Sequence, residues 1–307
     1  MMVSHDQQPG PPLYSSLTYE IAFAIDSRLR RQCLDRNLQP LREMFQQISV
    51  LKQALPMSNK APFDYRLATY LDSQGAYVEG TSLKFNKTRD EKSVNAGVSP
   101  KELIEAIYQA VLGSMWITQW HQAIKPFVNR RCREVTEQFQ TPAWTVMVDT
   151  LKQLGFSLDG RVKAVFLVTG AVNHAMKLPS NTVILDPCRD NLLMLRFLIH
   201  ECLHPPTSQE ILVDALLGLN LTGPVLSSFF TYQTRGQLTY PHIRAFLEES
   251  LVRAVEEALY RLSGIVVPCY RWNDQVFAPM VHVLSEKILT CGNVEEALTK
   301  AVREGAL

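Results

Sequence analysis

The sequence predicts an α+β protein, mostly helical, with a small mixed sheet next to the helix that carries His200, Glu201 and His204. Three observations predict it. Apolar residues recur at helical spacing over long stretches. Serine–proline and threonine–proline pairs at Ser99-Pro100 and Thr141-Pro142 read as helix starts. Two short β-rich runs, Val162 to Val168 and Asn181 to Leu185, stand in the second half of the chain.

Composition narrows the class. Of 307 residues, 46% are hydrophobic and 20% charged, which places the chain among globular rather than disordered proteins. The formal net charge of +1 gives no electrostatic footprint for nucleic acid or an anionic membrane. Met1 to Pro12 has neither a basic start nor an apolar stretch, so it is expected to be a disordered tail rather than a secretory signal. The most apolar long window, Leu216 to Phe230, is broken by Asn220, Thr222, Gly223 and Pro224, too short an apolar run to span a bilayer. Cys33, Cys132, Cys188, Cys202, Cys269 and Cys291 are widely spaced. They are expected to be free thiols of a cytoplasmic protein.

Element by element, residues 15 to 26 alternate Leu17, Tyr19, Ile21, Phe23 and Ile25 with smaller or polar residues, which suggests a strand; a helix would also align Leu17, Ile21 and Ile25. Residues 28 to 54 carry Leu38, Leu41, Met44, Phe45, Ile48 and Leu51 at helical spacing. Asn86 to Gly97 is polar and reads as a loop. From Ser99 a helix should run to about Ala123, before Pro126, and from Thr141 another to Gly155. After the two strands, helices are expected over 189–204, 208–219, 242–263, 274–290 and 293–304. A soft boundary near 140–158 separates a mainly helical region, 13–150, from a mixed domain, 151–307, that holds the motif.

His200-Glu201-Cys202-Leu203-His204 is that motif. Histidines four apart on a helix point the same way, so both imidazoles can grip one zinc ion. Glu201 projects from an adjacent strip, able to reach water bound to the metal without being a ligand. The metal lowers that water's pKa and polarises a carbonyl, and the glutamate moves the proton to the leaving amine. The apolar run Leu192 to Ile199 places the motif on a buried helix, where polar side chains need partners. The bland alternative is a pair of satisfied core histidines beside a surface glutamate.

Over roughly residues 160 to 262 the chain resembles the zincin metallopeptidases, on His200, Glu201 and His204. The resemblance implies a zinc-dependent hydrolase of peptide bonds acting on a peptide or protein substrate. Asn181 to Leu185 stands where that group has an edge strand that binds extended substrate by strand addition. A third protein ligand is then needed. Glu210, Asp214, Glu248, Glu249 and Glu256 are the candidates. Glu210 stands six residues after His204, where the metzincin branch takes its ligand, but Thr207-Ser208-Gln209-Glu210 reads as a capping box. The gluzincin branch takes a glutamate from a later helix. Phe246 to Glu257 resembles that helix, which carries the ligand role onto Glu249 and a supporting role onto Arg253.

The helical wheel leaves this open. Ile243, Leu247, Leu251, Ala254 and Ala258 form the main apolar stripe, and Glu249 shares the opposite strip with Val252, Glu256 and Tyr260. A solvated face paired with Arg253 is the alternative there. Glu248 intrudes among Leu251, Val252, Val255 and Leu259. The order of preference is Glu249, Glu248, Glu256, with Glu256 also placed for a supporting role. Pro205 disfavours helical geometry at His204. Tyr240, His242 and Tyr260 are candidate oxyanion donors, with packing or capping as the simpler reading. Surface or core positions account for His174 and His121. Arg196 stands one turn before His200, where it could anchor a carboxylate, and Cys202 reads as core. Besides an active hydrolase, the sequence allows a catalytically inactive zincin-like module that binds a protein partner, and a helical scaffold on which the motif is accidental.

Overall fold

The computed structural model describes residues 10–25, 39–55, 62–87, 99–158, 161–169, 175–204, 227, 229–230, 242–266 and 274–304. The protein is mostly helical with a small mixed sheet. It divides into two compact units, one of residues 12–134 and 163–189, the other of 1–11, 135–162 and 190–307. Lys163 to Val168 and Asn181 to Leu185 fall in the first unit and the motif in the second.

The first unit contains β1 (Leu13–Ser15), β2 (Ala76–Glu79), β3 (Ser82–Phe85), β4 (Ala164–Leu167), β5 (Ala175–Lys177) and β6 (Thr182–Leu185). The sheet order is β1-β4-β6-β5, parallel except for β5, and β2 and β3 form a separate hairpin turned at Gly80 with φ +60°. β4 and β6 match the two predicted runs. β6 is buried at every residue and pairs with β4 on one side and β5 on the other, so it is a central strand and not the edge strand expected of Asn181 to Leu185.

Residues 17–25, expected as a strand, form helix α1 instead. Ser16 starts it, its hydroxyl accepting from Tyr19 N and its carbonyl from Glu20 N. Every residue from Thr18 to Ile25 is buried. A helix covered all round carries no amphipathic period, so the alternation along it was uninformative about conformation.

Helices α2 (Gln39–Ala54), α3 (Phe63–Gln74) and α4 (Pro100–Leu112) complete the core with Leu51, Leu67, Leu71, Ile104 and Tyr108, whose hydroxyl donates to Thr18 O at 2.6 Å. The α4 start is as expected, Ser99 Oγ accepting from Glu102 N. Its end is not. α4 stops at Gly113, and α5 (Met115–Gln138) begins two residues later and continues through Pro126. Gly113 keeps a right-handed φ of −70° and makes the last helical bond, to Gln109 O; Ser114 then turns both its N–H and its Oγ to Val111 O, a tight i→i+3 turn that ends the helix. The expected loop at 86–97 lies largely outside the described residues, as do the 208–219 helix and most of the 1–12 tail and the 216–230 window.

The second unit is helical: α6 (Pro142–Gln153), α7 (Asn191–Leu203), α8 (Ile243–Ser263), α9 (Asp274–Cys291) and α10 (Val294–Glu304). Thr141 caps α6 through its hydroxyl to Trp144 N, and Gly155 follows its end with φ +91°. α8 is the central element, touching α6, α7 and α9. Phe246 of α8 stacks on Phe277 of α9 at 4.8 Å. No described helix is long and apolar enough to cross a membrane.

Candidate metal centre

The motif helix α7 begins at Asp190, whose carboxylate accepts from Leu193 N at 2.9 Å. It buries Leu193, Met194, Leu195, Leu198, Ile199, Cys202 and Leu203, so Cys202 is core as expected. It ends at His204, where φ −67° is still helical and ψ 152° is extended. The residue before a proline is driven to that ψ. φ sets where a side chain leaves the preceding turn, and ψ moves only the residues from Pro205 onward. His204 therefore keeps the position of an i+4 partner of His200, and Pro205 does not splay the pair.

α8 supplies the acidic side. Glu249 and Glu256 are only 2% and 4% exposed, so the strip opposite the main apolar stripe is buried rather than solvated. Ionised carboxylates are retained at such depth only with partners. Arg253 Nε donates to Glu249 Oε1 at 2.7 Å, while the guanidinium lies over the Phe277 ring at 4.4 Å.

Three atoms converge between the helices. His200 Nε2 and His204 Nε2 are 3.2 Å apart, and Glu249 Oε2 lies 3.6 Å and 3.5 Å from them. Tetrahedral ligands at zinc–ligand distances near 2.05 Å sit about 3.3 Å from one another, so the triangle has the edge lengths that a single zinc ion requires. Glu249 Oε2 is buried and has no hydrogen-bond partner among the described residues. Such an atom is expensive to bury without positive charge beside it; the His200 imidazolium at 3.6 Å supplies that charge in the metal-free protein, and a metal ion at the same place would supply it instead.

The outer ring nitrogens face the other two glutamates. His200 Nδ1 lies 2.9 Å from Glu256 Oε2, and His204 Nδ1 lies 2.8 Å from Glu248 Oε1. In a neutral imidazole a carboxylate beside Nδ1 favours the tautomer with the proton on Nδ1, which leaves the Nε2 lone pair facing the triangle. Arg196 Nε stands 3.5 Å from Glu256 Oε1 and its guanidinium 5.9 Å from the Tyr260 ring.

Charge follows from this packing. Burial would raise the Glu249 and Glu256 carboxyls, but His200 and nearby arginines outweigh it and hold both below the usual carboxylate range. Burial would lower His200, yet Glu256 and Glu249 carry it well above an ordinary histidine. Burial and then Glu256 push the Tyr260 hydroxyl up.

The structure thus brings together His200, His204 and Glu249, and separates the three candidate glutamates by position: Glu249 on the inner nitrogens, Glu248 and Glu256 on the outer ones. Glu201 is half-buried on α7, and its side chain makes no hydrogen bond or ion pair among the described residues. Arg196 and Tyr260 stand beside Glu256, behind the His200 ring, rather than on the inner nitrogens. His242 precedes α8, exposed and without a capping bond from its side chain. His121 belongs to the other unit, where burial lowers its pKa. Glu210, Asp214, Tyr240 and His174 lie outside the described residues. The contact of Glu248 with the outer nitrogen of His204 was not legible in the sequence, because a wheel of one helix says nothing about where a neighbouring helix ends. No protein-family profile, curated protein or solved structure matches the chain.

Proposed function

We propose that this protein is a zinc-dependent metallopeptidase resembling the gluzincin branch of the zincins, with His200, His204 and Glu249 as metal ligands and Glu201 as general base. The observation that carries the reading is the triangle of two imidazole nitrogens and one orphaned carboxylate oxygen, its edges between 3.2 and 3.6 Å. Two histidines and a glutamate are a three-ligand set of the kind found in catalytic zinc sites, which leave a fourth position for water or substrate. A zinc ion held there would supply Lewis acidity toward a carbonyl oxygen and toward water. The chain's own residues do the rest. Arg253 holds the far oxygen of Glu249, so the carboxylate presents one oxygen to the ion. Glu256 backs the His200 ring through Nδ1. Glu201, one residue on from His200 and about 100° further around the helix, takes a proton from water and passes it to the amine that leaves the cleaved peptide.

The test combines metal content with turnover. Purified wild type should hold one zinc per chain and cleave members of a broad peptide library. Glu201→Gln should keep the zinc and lose turnover by on the order of 10²–10⁴. Full activity in Glu201→Gln removes the proposed base. Zinc without hydrolysis in wild type favours an inactive module that binds a partner instead.

A further inference from the structure

His204 is the corner of the site that its own helix controls least. The backbone places its Cβ correctly, but α7 ends at this residue. The χ2 torsion of histidine is broad, so the backbone does not decide which ring nitrogen faces inward. His200, one turn earlier, is inside the helix and faces the buried Glu256. The corresponding group for His204 is Glu248, whose Oε1 lies 2.8 Å from Nδ1.

We propose that Glu248 is a positioning residue: it accepts the Nδ1 proton of His204 and so aims Nε2 at the metal position. This rests on the metal-binding reading above and deepens it. Glu248 ranks among the candidate ligands in the sequence, but its carboxylate bonds the outer edge of the ring. There it cannot share an ion with Nε2, which lies 3.2 Å from His200 Nε2 and 3.5 Å from Glu249 Oε2. The inner triangle already has its three protein ligands. The Glu248 side chain is 26% exposed, against 5% for Glu256, so it can be replaced with less damage to the core.

The experiment uses the full chain. Zinc affinity is measured by competition with a chromophoric chelator for wild type, Glu248→Ala and Glu248→Gln, and cobalt(II) absorption is recorded at saturation. The expected result is a 10- to 100-fold weaker affinity in Glu248→Ala, the cost typical of losing a partner that orients a ligand. Glu248→Gln should recover most of that loss, because its amide oxygen still accepts the same N–H. The saturated cobalt spectrum should be unchanged, since no ligand is lost. Wild-type affinity in Glu248→Ala, no recovery in Glu248→Gln, or an altered cobalt spectrum overturns the proposal. Nitrogen-15 correlation of the His204 ring in the zinc-loaded wild type gives a readout that needs no variant. The proton should be on Nδ1, and a proton on Nε2 overturns the assignment. Wild type that takes up no metal at all would instead overturn the proposed function, and this inference with it.

Discussion

Each unit of the protein buries carboxylates, and it treats them differently. In the first unit Glu20, 1% exposed, accepts from Thr169 N at 2.9 Å and from Thr169 Oγ1 at 2.7 Å. Asp72 accepts from Tyr19 OH and from Ser180 N and Oγ. Every oxygen there meets a donor, as an architectural polar group should. In the second unit Glu249 Oε2 and Glu256 Oε1 are buried with no hydrogen-bond partner among the described residues, and Glu249 Oε2 points at two imidazole nitrogens. One arrangement is complete as it stands. In the other, Glu249 Oε2 and the two Nε2 atoms converge on a common point, and Glu256 Oε1 faces Arg196 Nε at 3.5 Å; positive charge is required there, from a protonated His200 in the metal-free protein or from a bound cation.

Substituting the carboxylates on each side should separate the two roles. Glu249→Gln should weaken zinc binding on the order of a hundred- to a thousand-fold, about one ligand's share of the ~10–16 kcal/mol typical of a four-ligand zinc site. Chelator competition measures it, and unchanged affinity would remove the contrast. Glu20→Gln should leave zinc affinity alone and cost about 1–3 kcal/mol of unfolding free energy, because a charged acceptor becomes a neutral amide and the Thr169 hydroxyl must change from donor to acceptor. Denaturant melts with and without zinc test this.

Acid should sharpen the distinction further, with two opposite signs. His200 is raised above its ordinary value. Below that raised value one proton must leave before metal binds, so zinc affinity should fall about tenfold per pH unit on acidification. The stability that protonated His200 contributes to the metal-free protein is fully present below about pH 6.5 and is lost as pH rises through the raised value. Titrations of affinity and of apo-protein melting temperature should therefore slope in opposite directions over that window. The smallest effect belongs to Asp190→Ala, which removes the α7 cap. It should cost about 1 kcal/mol of stability while changing zinc affinity less than tenfold. A larger loss of affinity would mean that helix fraying, not the ligand set, governs the site.

Features written in a few consecutive residues were readable without a structure. Ser99 and Thr141 each cap a helix that starts where the pair with proline says, and β4 and β6 fall inside the two β-rich runs. The pairing of His200 with His204 is of the same kind, since an i, i+4 relation on one helix needs no other part of the chain. The strand expected at 15–26 failed for the opposite reason. Residues 18–25 are covered on all sides, and full burial erases the period that separates helix from strand.

The local sequence alone determined the motif, its helix and the halt that Pro205 imposes at His204, because torsions and short-range hydrogen bonds act between near neighbours. Only tertiary structure decided which of three glutamates faces which ring nitrogen. Glu248, Glu249 and Glu256 are alike as sequence, and their wheel positions describe only their own helix. The packing of α8 against α7 buries Glu249 on the inner nitrogens and sets the other two on the outer ones. That choice depends on contacts between residues more than forty positions apart.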